Sequence, residues 1–525
     1  MADNLNGVQP EVIAMKTIEL CRRSTPCVAE NYKPTSAAFA RRTWFALFAS
    51  FALTSSALAC GGYGVGDLQS LARDAISAEA AVSAPAIATL RDQGPQGLEA
   101  LFRAHEEMIK RHLSASAGLA TATTDDAWLR VKQALDAVSQ QRDCYASRLY
   151  WFTDLDRARA AAAANGKPIL SLRLLGRLDE EFSCANSRFF RTTLYANADV
   201  SRYLREHFIL HWKSVRPVPR VTIDFGDGRK LERTITGNSI HYVLDAQGRV
   251  IDALPGLYGP QAFLRGIKRA EEITTQCVAF SRREREMEMD ALLACGGSQA
   301  FTEKAALSRN EREQLLREYH RSRFAAIQAD WASDLARIGS APAILAINNP
   351  TGSLFPPAQA AGRVAVSKFA TEAPLLRGTA PRGSSSFPAL PMETDDATWA
   401  KVAALHAETA RLDEGSRALI RAKNPNAAEA SRTTTSKRRV EDPLLRAMRN
   451  LERSMAEDTV RNEYLYHYRI HQWLANGLPA DDVERLNSKV YAELFLTPDS
   501  DPWLGLVPAD TCTALENEGL QTSNR

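Results

Sequence analysis

The stretch from Trp151 to Leu264 constrains the fold most, because only there do strand-like and helix-like runs alternate. Asp154 to Asn165 has helical composition and stops at Asn165-Gly166. Pro168 to Leu175 carries ILSLRLL, a short apolar run of the kind found in a strand buried on both faces. Cys184 to Arg205 reads as one helix and His207 to Val215 as a second strand. Val221 to Thr236 contains FGDGRK, a glycine-bearing turn between two β-like runs, which predicts a hairpin. Ile240 to Leu244 and Arg249 to Ala253 form another strand pair around Asp245-Ala246-Gln247-Gly248, and helix resumes at Pro260.

The flanks have a different character. Residues 67–145 predict helices, with a Gly94-Pro95 turn and an N-cap at Thr124 or Asp125. After the α/β region of 146–270, residues 271–339 are charged and helical, with Gly296-Gly297 as the turn of a long hairpin. Residues 340–395 are rich in Pro, Ala, Gly and Ser and read as a disordered linker. A second helical region covers 396–525; its opening, METDDATWAKVAALHAE, echoes TATTDDAWLRVKQALDA at 121–137, as either a diverged duplication or a coincidence of Ala-rich helices. The expected fold class is therefore an α/β domain embedded between mainly α-helical regions with disordered linkers.

A chain of 525 residues has room for roughly two to four such regions. Its formal charge of +3 gives no global reason to expect a nucleic-acid partner, and Lys437-Arg438-Arg439 reads as a solvated run. Arg41-Arg42 precedes TWFALFASFALTSSALAC, whose apolar run and Ala57-Leu58-Ala59 form a signal peptide within an extension covering 1–59. The expected location is the periplasm or cell envelope, after cleavage or with membrane attachment through residues 43–60 or a lipidated Cys60. Eight cysteines are scattered without a CxxC pair or a Cys/His spacing that fits zinc, and export would let disulfides persist.

Several residues of the α/β region together resemble the thioredoxin superfamily. They are Ala160 to Leu170 with GKPIL, Cys184 at a helix start, and Tyr242-Val243-Leu244-Asp245 followed by Gly248-Arg249. The resemblance covers about a fifth of the chain and implies a thioredoxin-like domain with Cys184 in the nucleophile position. A helix N-terminus lowers a cysteine pKa, and a second cysteine three residues on resolves the mixed disulfide. Here Cys184-Ala185-Asn186-Ser187 places Ser187 where that second cysteine would stand. Ser239 occupies the place of the family's cis-proline, and a cis bond before a non-proline costs about 2.5–4 kcal/mol, so Asn238-Ser239 is expected to be trans. Asp179, Glu180 and Glu181 would raise the thiol pKa and Arg188 would lower it. Cys184 has three readings: a redox-active monothiol, for which Cys144 or Cys277 could be a resolving partner, half of a structural disulfide, or an inert buried thiol.

A second candidate is Glu463, His467 and His471 in NEYLYHYRIHQWL, where spacings of four place three metal-ligand types on one helical face. Without a further ligand this face reads more readily as polar packing, and no cofactor is expected. The GDG of FGDGRK and the glycines of CGGYGVG lack the Lys-Ser/Thr of a phosphate loop. These observations predict an exported thioredoxin-like-fold protein that serves unknown protein partners as a non-catalytic scaffold, with a monothiol thiol–disulfide oxidoreductase as the alternative.

Overall fold

The computed structural model describes residues 65–117, 125–235, 237–293, 299–339, 396–425, 443–478, 481–504 and 506. The signal and anchor segment, the linker 340–395, and Cys21, Cys27, Cys60, Cys295 and Cys512 lie outside those residues. Five helices come first: α1 (Val65–Asp74), α2 (Ala80–Asp92), α3 (Pro95–Ala104), α4 (Glu106–Ala117) and α5 (Asp126–Ser139). The α/β region follows as β1 (Trp151–Phe152), α6 (Leu155–Asn165), β2 (Ile169–Leu175), α7 (Ala185–Phe189), a π-helical turn (Phe190–Leu194), α8 (Ala198–His207), β3 (Ile209–Arg216), β4 (Arg220–Asp224), β5 (Lys230–Thr234), β6 (Ser239–Leu244) and β7 (Val250–Pro255). Two long helices, α9 (Pro260–Leu293) and α10 (Gln299–Arg337), pack on each other. The rest comprises α11 (Asp396–Leu405), α12 (Glu414–Lys423), α13 (Pro443–Arg461), a second π-helical turn (Asn462–His467), α14 (Tyr468–Ala475) and α15 (Val483–Glu493).

Local chemistry explains many of these boundaries. The Asp125 carboxylate accepts from the Ala127 N–H and starts α5, and Asp154 accepts from Arg157 N–H and starts α6. Gly166, at φ +65°, ends α6 in the left-handed region that a glycine adopts without a Cβ penalty. The helix expected to run unbroken from Cys184 to Arg205 is instead three pieces. The Asn197 side chain accepts from the N–H groups of Asp199 and Val200, so it opens a new helix after the first π-helical turn. The glycine turn of FGDGRK joins β4 and β5 in a separate two-stranded sheet, with Gly226 and Gly228 both at positive φ.

The main sheet is mixed, in the order β1-β3-β2-β6-β7. β1 and β2 run parallel to β3, whereas β6 is antiparallel to β2 and β7 antiparallel to β6. All seven residues of β2 are buried, as expected of a strand with neighbours on both sides and layers on both faces. The period-two pattern sets Leu170, Leu172 and Leu174 on one face and Ile169, Ser171 and Arg173 on the other. Arg173 is 0% exposed in this central strand. Its guanidinium donates to Ser171 Oγ at 2.5 Å and to the Glu484 carboxylate of α15 at 2.8 Å, across 311 residues of sequence. On the same face Ser171 bonds His211 Nδ1 at 2.8 Å, and Tyr242 donates to Asn487 Oδ1 of α15 at 3.3 Å.

One apolar core runs from the sheet through α9 and α10 into the C-terminal helices, where the rings of Trp331 and Trp399 lie 4.9 Å apart. A second core lies among α1–α5 and includes Leu419 of α12. Arg91 ties the helical region to the sheet by donating to the carbonyls of Trp151 at 2.6 Å and Val138 at 3.0 Å. Lys423 of α12 adds ion pairs to Asp143 at 2.8 Å and to Glu181 at 3.1 Å. Trp128 and Trp399, from the two similar TDDA segments, are buried in different cores.

The Arg173–Glu484 pair gives a direct test. Glu484→Gln leaves a buried guanidinium without its counter-charge, and the expected loss is about 1–3 kcal/mol, reduced by the half-exposed setting of the carboxylate. Arg173→Met removes both the charge and its desolvation cost, so in urea unfolding it should lose less than Glu484→Gln. The reverse order would show that the pair does not hold α15 to the sheet.

Candidate functional site

Cys184 follows β2 and is the N-cap residue of α7, at φ −59° and ψ 156°. Its N–H bonds back to the Leu175 carbonyl at 3.1 Å, which folds the segment between strand and helix against the sheet end. The thiol is 0% exposed and contacts the Asn238 carbonyl at 3.8 Å. That carbonyl also accepts from the Tyr491 hydroxyl of α15 at 3.2 Å, while Asn238 Nδ2 donates to Thr497 Oγ1 at 3.1 Å. Arg216, at the end of β3, donates to the carbonyls of Thr497, Pro498 and Asp501 and so holds the closing segment over this end of the sheet. The C-terminal region therefore caps the side of the sheet where the thiol sits.

Burial pushes the Cys184 thiol up from its ordinary pKa; the Ser187 N–H and hydroxyl and the Arg188 charge pull the other way without reversing it. The acidic residues upstream are committed elsewhere. Asp179 and Glu180 pair with Arg177, and Glu181 pairs with Arg142 and Lys423. Ser187 is fully buried; its hydroxyl donates to the Cys184 carbonyl at 3.1 Å and bonds Ser183 Oγ. Ser239 opens β6 after a trans peptide bond, and its buried hydroxyl has no hydrogen-bond partner. Cys144, Cys184 and Cys277 are free thiols, all buried, so neither flanking cysteine is bonded to Cys184. Burial raises Cys144 as well, and Cys277 to about 11. A thiolate is the reactive form of cysteine, and burial under the C-terminal segment disfavours that form at Cys184.

The other candidate residues meet partners that the sequence spacing did not indicate. Gly256, at φ +76°, lets the second π-helical turn approach the loop after β7: a Cβ there would lie 2.6 Å from Asn462 Nδ2, which donates to the Leu257 carbonyl at 2.6 Å. This docking brings His467 and His471 against Asp252 of β7, and His320 of α10 closes the group. His467 is bonded through Nδ1 to Glu463 at 2.8 Å and through Nε2 to Asp252 Oδ1 at 3.1 Å. His471 Nε2 lies 3.9 Å from the same Asp252 oxygen, and its Nδ1 is 2.9 Å from His320 Nδ1. Tyr319 donates to Asp252 Oδ2 at 2.5 Å, and Tyr258 donates to Glu463 Oε2 at 3.3 Å. Glu463 also faces Arg323 at 3.2 Å and Arg269 at 3.8 Å.

The electrostatics of this group are strongly coupled. Burial opposes charge on His467, but the Glu463 and Asp252 carboxylates outweigh it and hold the imidazole up at about 9. Burial likewise opposes charge on the two carboxylates, and the facing imidazoles hold both well below the usual range, with Arg269 and Arg323 adding to the effect at Glu463. His471 stays neutral through burial and the neighbouring His467 charge, and burial lowers His320 to about 4. Glu463, weighed as a ligand beside the two histidines but read as polar packing, bonds His467 Nδ1, and Asp252 is the carboxylate that both imidazoles face through Nε2. A lone acid inside the apolar strand VIDALP was the signal that could have found Asp252; nothing local marks His320 or Tyr319.

Thiol accessibility checks the first site. In the native protein at pH 7, iodoacetamide should leave Cys144, Cys184 and Cys277 unmodified over a period that labels all three in guanidinium, read by peptide mass spectrometry. Rapid native labelling of Cys184 would show that the cap over α7 opens readily.

No family model, curated protein or solved structure matches the chain.

Proposed function

We propose that residues 146–270 form a thioredoxin-like domain, and that the protein is an exported, non-catalytic interaction scaffold at the cell envelope. The fold part is supported by the sheet order β1-β3-β2-β6-β7, with β6 antiparallel to a parallel trio and β7 antiparallel to β6. Cys184 at a helix start in the connection after the central strand, and Ser239 opening β6 beside that strand, are compatible with the resemblance. The export part is supported by the apolar run after Arg41-Arg42, with attachment through residues 43–60 or a lipidated Cys60 as the membrane link. Among the described residues no helix is long and apolar enough to cross a membrane.

The single observation that carries the non-catalytic reading is the shared use of Asn238. Its carbonyl is contacted by the Cys184 thiol and by Tyr491, and its side chain is bonded to Thr497, so the chain's own C-terminal segment occupies the space beside the thiol. A disulfide substrate has no approach to Cys184 unless that segment leaves. The residue types agree, since Ser187 cannot resolve a mixed disulfide. The partners of such a scaffold are proteins, and the near-neutral charge offers nucleic acid no general attraction.

A monothiol oxidoreductase is the second reading. It is favoured by the placement of Cys184 as the N-cap residue of α7, where Ser187 and Arg188 act to lower the thiol pKa against burial. Exchange with a small aromatic disulfide distinguishes the two. The purified chain and its Cys184→Ala variant should show equal, background rates, and both should cross-link the same envelope proteins. An exchange rate that depends on Cys184 would establish the oxidoreductase and overturn the scaffold.

A further inference from the structure

We propose that Asp252, His467 and His471 bind one divalent transition-metal ion, zinc by ligand type, in the core between β7 and the C-terminal helices. The three candidate ligand atoms, Asp252 Oδ1 and a ring nitrogen from each histidine, lie within 4.8 Å of one another and are all buried. Zinc bonds to imidazole and carboxylate are about 2.0–2.2 Å, so ligands of a tetrahedral site stand roughly 3.3 Å apart. The His467 Nε2–Asp252 Oδ1 separation is 3.1 Å and the His471 Nε2–Asp252 Oδ1 separation is 3.9 Å, so an ion that displaces the His467 Nε2 proton to solvent needs only a side-chain adjustment to close the set.

An orphaned atom points to the ion. His471 is 0% exposed and its Nε2 has no hydrogen-bond partner among the described residues. If the ring carries its proton on Nδ1, toward His320, then Nε2 presents a lone pair to a carboxylate oxygen. If the proton is on Nε2, the 3.9 Å distance is too long for a hydrogen bond. Either tautomer leaves a buried polar atom unanswered, at a cost of about 1–3 kcal/mol. A cation between Nε2 and the carboxylate satisfies the lone pair.

The outer contacts have the form that metal ligands require. Each of the three residues uses its remaining polar atom on a partner: His467 Nδ1 on Glu463, His471 Nδ1 on His320, and Asp252 Oδ2 on Tyr319. Such contacts set the tautomer and orientation of ligating imidazoles. The charge of Glu463 is shared with Arg323 and Arg269, whereas Asp252 faces imidazoles, a phenol and the Ala253 N–H but no cationic side chain other than His467, so the carboxylate left to a cation is Asp252. Access is short. His320 lines an open cavity of about 280 Å³ together with Leu316, Leu474 and Asp481, so one imidazole separates His471 from solvent.

Zinc chloride titrated calorimetrically into chelator-treated full-length protein should bind at one equivalent per chain and raise its melting temperature. Cobalt in its place should give the visible absorption of a tetrahedral site. His471→Gln, which keeps a polar group toward His320, should abolish that equivalent, and His320→Gln should weaken it about 10–100-fold. Absence of zinc binding by the wild type, or one equivalent that survives both His471→Gln and Asp252→Asn, would overturn the proposal. Should the variants fail to fold, X-ray absorption at the zinc edge of the wild type decides: two imidazoles with a carboxylate support the site, and sulfur ligation or a shell without imidazole refutes it.

Discussion

A guanidinium in the middle of the central strand governs how this molecule is built. Arg173 sits where a strand buried on both faces would ordinarily carry valine or leucine, and it is closed to solvent. A buried charge is tolerable only when it is paired and its donors are used. Ser171 supplies one acceptor from the same strand and Glu484 supplies the counter-charge from α15. The sheet therefore has a polar seam that only the C-terminal region can satisfy. Tyr242 with Asn487 and Asn238 with Thr497 and Tyr491 extend the same dependence along the sheet. The helices after the linker thus belong to the core of the α/β region and complete it.

That dependence bears directly on chemistry. The closing helices and the segment after them cover the end of the sheet where Cys184 stands, and covering a thiol raises its pKa by removing water from the thiolate. The helix-start position works the other way, as do the Ser187 donors, and burial is the larger influence. At the β7 edge of the sheet, the second π-helical turn and α14 bring His467 and His471 to Asp252. There the second π-helical turn matters. Such turns displace side chains from ordinary helical positions and recur at functional sites, and this one carries Glu463 and His467.

Much of the α/β region was legible from local signals. The mainly apolar run marked β2, the glycine turns marked both hairpins, and Asp125 and Asp154 marked helix starts, because each of these effects operates over a few residues. The break at Asn197 was missed because an apolar pattern continues across it, while the capping side chain interrupts the backbone ladder. The spacing of four in Glu463, His467 and His471 marked a shared face, but it could not show that both imidazoles face Asp252. Asp252 lies 215 residues from His467 and His320 lies 151 from His471, and no local periodicity reports on contacts at that range.

The sequence alone therefore determined the elements: which runs become strands, where helices begin, and that a cysteine stands at the start of one of them. Backbone propensity, capping and turn geometry act between near neighbours, so they can be read from order and spacing. Only the tertiary structure decided that Cys184 is covered, that Arg173 is paired, and that two helical histidines face a strand aspartate. Those outcomes depend on which distant surfaces exclude water from one another, and desolvation is a property of the assembled core.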